Sequence, residues 1–263
     1  MAEILTPRPA ATVLALRDGP KGFEVLMLRR NLNSDFVGGA YVFPGGGVDA
    51  LDAGAVQTLV VGPSDEQVSS RLGIDSGGLA YYVACLRELF EEAGLLLACD
   101  ERGEPISWDD PDMVTRMAQH RRQVNDGSLG FLEMMVAEHL FLDLRGLAYL
   151  AHWVTPVGPP RRYDTRFFVA LAPPDQTAAH DDGETIEDLW LRPLDALMAQ
   201  RRGEFEMIFP TIRNLEKVAH FSTAADVLAY ANALVDIERI EPRIVMRGDR
   251  PVILTPGDEG FED

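Results

Sequence analysis

The chain has 263 residues, 46% hydrophobic and 25% charged, which is ordinary globular usage and excludes a disordered chain. With 42 Asp+Glu against 24 Lys+Arg the net charge is -18, so the surface repels polyanions and acidic leaflets and argues against a nucleic-acid or membrane partner. No apolar run approaches the ~20 residues that span a bilayer, the start MAEILTPRPAATV lacks a leader pattern, and two cysteines, Cys85 and Cys99, are too few for a disulfide framework, so the expected location is a reducing cytoplasm.

Residues 10–16 and 23–28 are short β-rich runs flanking Asp18-Gly19-Pro20-Lys21-Gly22, which predicts a hairpin with a turn of about five residues. A third run, Tyr41-Val42-Phe43, is stopped by Pro44 and three glycines, where the backbone must turn tightly or leave room for a neighbour. Over residues 79–93 the apolar positions Leu79, Tyr82, Val83, Leu86, Leu89, Phe90 and Ala93 have the spacing of one helical face. Gly94 is a good stop for that helix. Residues 113–124 and 131–140 carry two further helical patterns, expected as an inserted lid or cap. Strands resume at 147–155, 166–172 and 189–191, and 193–234 reads as three amphipathic helices with breaks near Gly203 and Phe221-Ser222. From Ile237 onward a wrapping tail with a mobile end is expected. Strands, a helix and more strands make an α+β or mixed-sheet sandwich.

The central helix carries Arg87-Glu88-Leu89-Phe90-Glu91-Glu92-Ala93-Gly94-Leu95. At about 100° per residue, Glu91 and Glu92 lie about 60° and about 40° to either side of Glu88. All three carboxylates share a face that lies roughly opposite the apolar one. Like charges so placed repel by a few tenths of a kcal/mol per pair, and a cation between them relieves this. Hard oxygen ligands suit Mg²⁺ or Mn²⁺. Arg87 stands four residues before Glu91 and can pair with it, leaving Glu88 and Glu92 freer for metal. A solvated acidic face has the same spacing.

The segment from Arg87 to Leu95 resembles the second half of the Nudix box, G-x5-E-x7-R-E-U-x-E-E-x-G-U with U a bulky aliphatic residue. Phe43-Pro44-Gly45-Gly46-Gly47-Val48-Asp49 is similar to the strand end and loop that precede the box helix, and Gly46-x5-Asp52 repeats the first spacing with Asp for Glu. The chain departs from the box between Asp52 and Arg87, where residues 53–86 stand in place of seven, and Asp49 competes with Asp52 for the family position. An insertion there resembles the branch that includes peroxisomal coenzyme A diphosphatases, as do the segments from Gly39 to Gly46 and from Arg162 to Phe168.

The resemblance implies a Nudix-type α/β/α sandwich with mixed sheet, a helical insertion and a C-terminal helical extension. The hydrolase domain is expected over 8–200, with insertions about 53–78 and 105–142, and the extension over 201–263, packed on the same domain. It also implies metal-dependent cleavage of the diphosphate in a nucleoside diphosphate linked to another moiety. In the family, metal ions bridge the pyrophosphate and the helix carboxylates, and an activated water attacks phosphorus. Carried over, Glu88 and Glu92 are metal ligands, Glu91 is a ligand or the partner of Arg87, and the carbonyl near Gly46 completes the shell. The proton acceptor varies in the family; Glu184 and Glu187, before the strand with Trp190, are the candidates. Of Arg29 and Arg30 only one faces the pocket, since strand side chains alternate, and Arg29 is preferred for phosphate. Arg166, with Arg161 and Arg162, forms a second basic patch that either binds substrate, at a 3′-phosphate or the diphosphate, or pairs with surface carboxylates. Trp153, Tyr163 and Phe167 are either stacking residues for adenine or core, and Met113, Met117, Met134 and Met135 either line a channel or pack.

The partner is a small-molecule diphosphate, and a homodimer is left open. Within enzymes, a nucleotide-sugar, NADH or ADP-ribose pyrophosphatase is the alternative to a coenzyme A diphosphatase. A non-catalytic ligand-binding module has to lose box carboxylates, which are all present here. An isopentenyl diphosphate isomerase needs a cysteine at the site, and Cys85 is poorly placed.

Overall fold

The computed structural model describes residues 5–33, 38–54 and 56–261. Residues 1–4 of the N-terminal segment, residue 55 of the box insertion and residues 262–263 of the expected tail lie outside them. β1 (Arg8–Gly19) and β2 (Gly22–Arg30) form the opening hairpin. Gly19 pairs with Gly22, so the turn is only Pro20-Lys21, tighter than the five residues expected. A cross-strand ion pair, Arg17 to Glu24 at 2.8 Å, carries the ladder past the apolar runs. β3 (Tyr41–Val42) and β4 (Gly45–Gly47) follow, then a 3-10 turn at Ala50–Ala53.

The box insertion is more ordered than a Gly-, Ser- and Asp-rich loop: it contains β5 (Val60–Val61) and α1 (Asp65–Leu72) before α2 (Gly78–Ala93) begins. After α2 come β6 (Ala98–Cys99), α3 (Pro111–Asn125), α4 (Phe131–Ala137) and β7 (Phe141–Asp143). β5, β7 and β6 form a small sheet, which ties the box insertion to the helical insertion. β8 (Leu147–Val154), β9 (Tyr163–Leu171) and β10 (Thr185–Leu191) precede α5 (Pro193–Arg201), α6 (Phe209–Val218) and α7 (Ala224–Ala233). The chain ends with β11 (Arg239–Ile240) and a hairpin of β12 (Arg243–Arg247) and β13 (Arg250–Leu254). That hairpin turns at Gly248-Asp249, a favoured two-residue connection, where an irregular tail was expected.

The main sheet runs β10-β2-β1-β9-β8-β11, with β3 beside β2 and β4 beside β1. β1 and β9 are parallel, as are β8 and β11, while β2, β8 and β10 pair antiparallel; the sheet is mixed. Alternation splits its side chains into two cores. Val13, Ala15, Leu26, Leu28 and Phe168 pack with α2, α3 and α4, and Leu14, Leu16, Val25, Met27 and Val169 pack with α5, α6 and α7. Each such fully buried Val, Leu, Met or Phe side chain contributes roughly 1.5–3 kcal/mol. The result is the expected α+β, α/β/α sandwich. Met117, Met134 and Met135 are buried in the first core, and Trp153 and Phe167 in the second. Cys85 and Cys99 are free thiols, both buried.

Candidate active site

The position of α2 is set at both ends. At its start Gly77 offers no capping side chain, and α1 supplies one from a distance. The Asp65 carboxylate accepts from the Gly77 and Leu79 N–H groups, each at 2.9 Å, and Ser69 Oγ accepts from Gly78 N–H at 2.8 Å. These satisfy donors that a helix start leaves open. Those backbone bonds hold the Asp65 carboxyl below its ordinary value. At its end Gly94 takes a left-handed φ of 70° and its N–H donates to Phe90 O, a conformation that favours glycine.

The last two turns bring the box residues together. Arg87 is the hub: Nε and Nη2 donate to Asp52 at 2.8 and 3.1 Å, Nη1 to Glu88 and to Glu91 at 2.9 Å each, and Nη2 to the Gly47 carbonyl at 2.9 Å. Arg87 therefore engages Glu88 as well as Glu91, contrary to the simple pairing expected from spacing. Between the two competing aspartates, Asp52 is buried at 2% exposure and also accepts from Asp49 N–H at 2.8 Å. The Asp49 carboxylate stands out in solvent, 3.8 Å from Arg87.

The glycine loop lies directly on the carboxylates. Gly45 N–H donates to Glu92 at 2.9 Å. A Cβ on Gly46 would sit 2.3 Å from Glu88 Oε1, so only glycine lets the β4 backbone approach this closely. Glu88 and Glu92 are 8% and 3% exposed. Burial, only partly offset by Arg87, pushes the Glu88 carboxyl up to about 7. Burial and the Glu88 charge push Glu92 well above the carboxylate range. Burial also raises Glu91, with Arg87 opposing.

Among the described residues no group of three or more acidic, histidine or cysteine side chains is already gathered as a metal cage. What the site offers is an under-compensated buried pair, Glu88 and Glu92, beside a loop backbone. Two hard anionic oxygen donors held together at such cost fit a divalent cation, which removes both the repulsion and the desolvation penalty.

Neighbouring strands divide the other candidates by face. Arg30 and Glu184 approach each other at 3.5 Å, and both contribute to the field at Glu92, as Glu184 does at Glu88. Arg29 lies instead over the Tyr41 ring, 5.7 Å from its centroid, and 3.7 Å from Glu187. Tyr41, which stacks on Phe205, donates its hydroxyl to Glu187 at 2.7 Å. Burial and that bond push the phenol up to about 12. The structure thus groups Arg30 and Glu184 with the α2 carboxylates and sets Arg29 and Glu187 on the opposite face. Arg166 is 4% exposed, ion-paired with Asp164, and 5.0 Å from the Tyr81 ring centroid. Arg162 is buried too and bound to Glu241 and to the Thr155 and Leu5 carbonyls.

Spacing did not single out Arg121 or Asn125 of α3, whose side chains donate to the Glu91 carbonyl at 2.9 and 3.1 Å and dock the inserted helix on the site. No local pattern marks them, because their partner is a backbone oxygen far away in sequence.

Residues 64–218 match the family model described as the NUDT19 Nudix domain. The chain belongs to this Nudix family. It is a Nudix hydrolase, an enzyme that cleaves the diphosphate bond of a nucleoside diphosphate linked to another moiety. It is 30% identical to "Acyl-coenzyme A diphosphatase NUDT19" of Gallus gallus, over 93% of this chain and 74% of that protein. Identity to the Homo sapiens protein of the same name is 26%, over 96% of this chain and 76% of that one. Among solved structures, a NUDIX hydrolase from Alicyclobacillus acidocaldarius matches with a TM-score of 0.68 at 28% identity, covering 85% of this chain and 96% of its own. Among the described residues no helix of this Nudix hydrolase is long and apolar enough to cross a membrane. Cys85, fully buried within α2, offers no thiol to the site.

Proposed function

We propose that this Nudix hydrolase cleaves coenzyme A or acyl-coenzyme A, adding water across the diphosphate to give 4′-phosphopantetheine, or its acyl form, and adenosine 3′,5′-bisphosphate. The reach of the likeness carries this reading. The acyl-coenzyme A diphosphatases align with 93% and 96% of the chain, a span that has to include most of the box insertion.

We assign Mg²⁺ or Mn²⁺ to Glu88 and Glu92, with Glu91 and the Gly46 carbonyl as further oxygen donors. Such an ion supplies Lewis-acid charge for the diphosphate and a more acidic water. Arg87 is a positioning residue: its fork orients Glu88 and Glu91 and ties them to Asp52 and the glycine loop. Glu184 is the preferred proton acceptor, since it is exposed and shares the field of Glu88 and Glu92. Glu187 is engaged by Tyr41 and Arg29 on the other face. Arg30 suits a substrate phosphate better than Arg29 by the same division, and Arg166 has Asp164 as its partner. The hydrolase domain is taken as 8–200, with 201–263 an extension that joins the sheet through β11. Two unpaired cysteines fit a cytoplasmic location.

The test is incubation with Mg²⁺ or Mn²⁺ and coenzyme A, acetyl-coenzyme A, ADP-ribose, NADH or a nucleotide sugar, with products resolved by mass. Phosphopantetheine release that is lost in Glu92→Gln supports the reading. Release of AMP from ADP-ribose or NADH, with coenzyme A left intact, overturns the substrate assignment and keeps the hydrolase.

A further inference from the structure

The far end of α2 is gripped from two sides. From α3, Arg121 Nε and Asn125 Nδ2 both donate to the Glu91 carbonyl, at 2.9 and 3.1 Å. From the segment between β9 and β10, the Ala179 N–H donates to the Ala93 carbonyl at 3.0 Å. Gln176 of the same segment brackets Leu96, accepting from its N–H at 2.8 Å and donating to its carbonyl at 2.9 Å. The bonds to Glu91 and Ala93 satisfy carbonyls that a helix end leaves open. The Arg121 guanidinium also lies against Gly94, where a Cβ would stand 3.0 Å from Nη1. The inserted helix therefore closes over the end of the helix that carries Glu91 and Glu92.

The segment that grips from the other side runs on to Glu184, in a turn built on aspartates. The Asp181 carboxylate accepts from the Glu184 and Thr185 N–H groups at 3.0 and 2.8 Å and from the Thr185 hydroxyl at 2.7 Å. Asp188 accepts from the His180 N–H at 3.1 Å and from its ring Nδ1 at 2.6 Å. Arg121 is half-buried. Burial lowers its guanidinium below the usual arginine range, opposed by the charges of Asp181, Asp188, Glu92 and Asp182. Its Nη2, sealed from solvent, has no hydrogen-bond partner among the described residues. Asn125 shows that a neutral side chain can serve the Glu91 carbonyl without the penalty of burying a charge. What Arg121 adds is that charge, in the field of Glu92 and three aspartates. Arg30 meets Glu184 itself, at 3.5 Å, whereas Arg121 acts on the turn that holds it.

Without that charge, Glu92 and the aspartates of the turn are left with like charges near one another, which is unfavourable. Asp182, Gly183 and Glu184 are exposed, and an exposed turn yields to such repulsion more readily than a packed helix end. We propose that Arg121, although it belongs to the helical insertion, is a positioning residue for the hydrolysis: its charge holds the Asp181–Asp188 turn, and Glu184 with it, against the carboxylate end of α2. The kinetic part of this inference rests on Glu184 as the proton acceptor; the hold on the turn does not.

Arg121→Met, Arg121→Lys and Glu184→Gln in the full chain test it. The readouts are steady-state kinetics with Mg²⁺ or Mn²⁺ on coenzyme A, or on ADP-ribose if coenzyme A is left intact, and hydrogen exchange at the Glu184 and Thr185 amides. Arg121→Met should lower kcat roughly 10–100-fold, the loss that removal of outer partners brings, with KM little changed, as when only the reacting groups are misplaced. Exchange at the two amides should quicken at least about tenfold as the turn opens. Arg121→Lys keeps the charge and should recover most of both. If Arg121→Met does not fold, Arg121→Gln takes its place. Unchanged exchange in the neutral variant, or Arg121→Lys as impaired as the neutral variant, overturns the proposal. Glu184→Gln separates the two readings. If it keeps the parental kcat, Glu184 is not the proton acceptor, and exchange alone decides the role of Arg121. If it loses kcat while the neutral Arg121 variant does not, the chemistry does not need Arg121 and the proposal falls.

Discussion

The two ends of α2 handle their polar groups in opposite ways. At the N-terminus every donor that the first turn exposes toward α1 is met: Asp65 and Ser69 accept from Gly77, Gly78 and Leu79. At the C-terminus Glu88 and Glu92 are buried with their charges only partly met, one by Arg87 and the other by the Gly45 N–H. A satisfied end stabilises the helix; an unsatisfied one holds binding capacity for a cation. The difference separates residues whose loss costs activity from those whose loss costs stability.

The largest effect is expected at Glu92. Outer partners of metal ligands cost roughly 10–100-fold when removed, so Glu92→Gln, which deletes a proposed ligand, should lower kcat/KM by at least about a hundredfold. Without metal the same variant should melt no lower than the parent, since glutamine is neutral at every pH and burial opposes only the charged form of Glu92. Near-parental activity would break the comparison. Arg87→Lys comes next. Lysine keeps the charge but cannot bridge Asp52, Glu88, Glu91 and the Gly47 carbonyl at once, and a loss of about 10–100-fold in activity or metal affinity is expected. A metal titration of activity would read it.

The pH dependence follows in size. Glu88 is raised from 4.5 to about 7 and Glu92 moves the same way. A carboxyl raised on folding adds stability below its unfolded value and loses it as pH climbs through the folded one. Metal-free protein should therefore lose stability between about pH 4.5 and pH 7. Mg²⁺ or Mn²⁺ binds the deprotonated pair, so its stabilising effect should be larger at pH 8 than at pH 5 in thermal melts. An effect independent of pH would detach the metal from this pair.

The legible and illegible parts of the molecule divide along the same line. Helical spacing alone placed Glu88, Glu91 and Glu92 on one face, because an α-helix converts sequence distance directly into angle. Strand alternation likewise made Arg29 and Arg30 diverge, but it could not say which faced α2; that depends on which core each strand face packs against. The Asp65 cap and the Arg121 and Asn125 contacts join residues 12, 14, 30 and 34 positions apart. No periodicity encodes these distances. The β12–β13 hairpin has its turn, Gly248-Asp249, in plain view, but a proline, Pro251, stands inside the following run, where it disfavours a strand. It is accommodated in a two-stranded ribbon, where few ladder donors are required.

The smallest effect sharpens the comparison most. Asp65→Ala removes the acceptor for two N–H groups at the start of α2 while leaving Ser69 to accept from Gly78. Loss of a capping carboxylate costs about 0.5–2 kcal/mol, roughly 2–4 °C per kcal/mol in melting temperature for a chain of this size. Asp65 is the first residue of α1 and four turns of α2 separate its bonds from Glu92, so kcat and the metal requirement of the folded enzyme should not change. Asp65→Asn retains an acceptor and should recover part of the loss. If Asp65→Ala instead lowers kcat at a temperature where the protein is fully folded, the insertion transmits its hold along α2 to the carboxylates. The two ends would then be one device, with the residues between Asp52 and Arg87 acting on the chemistry as well as on the fold.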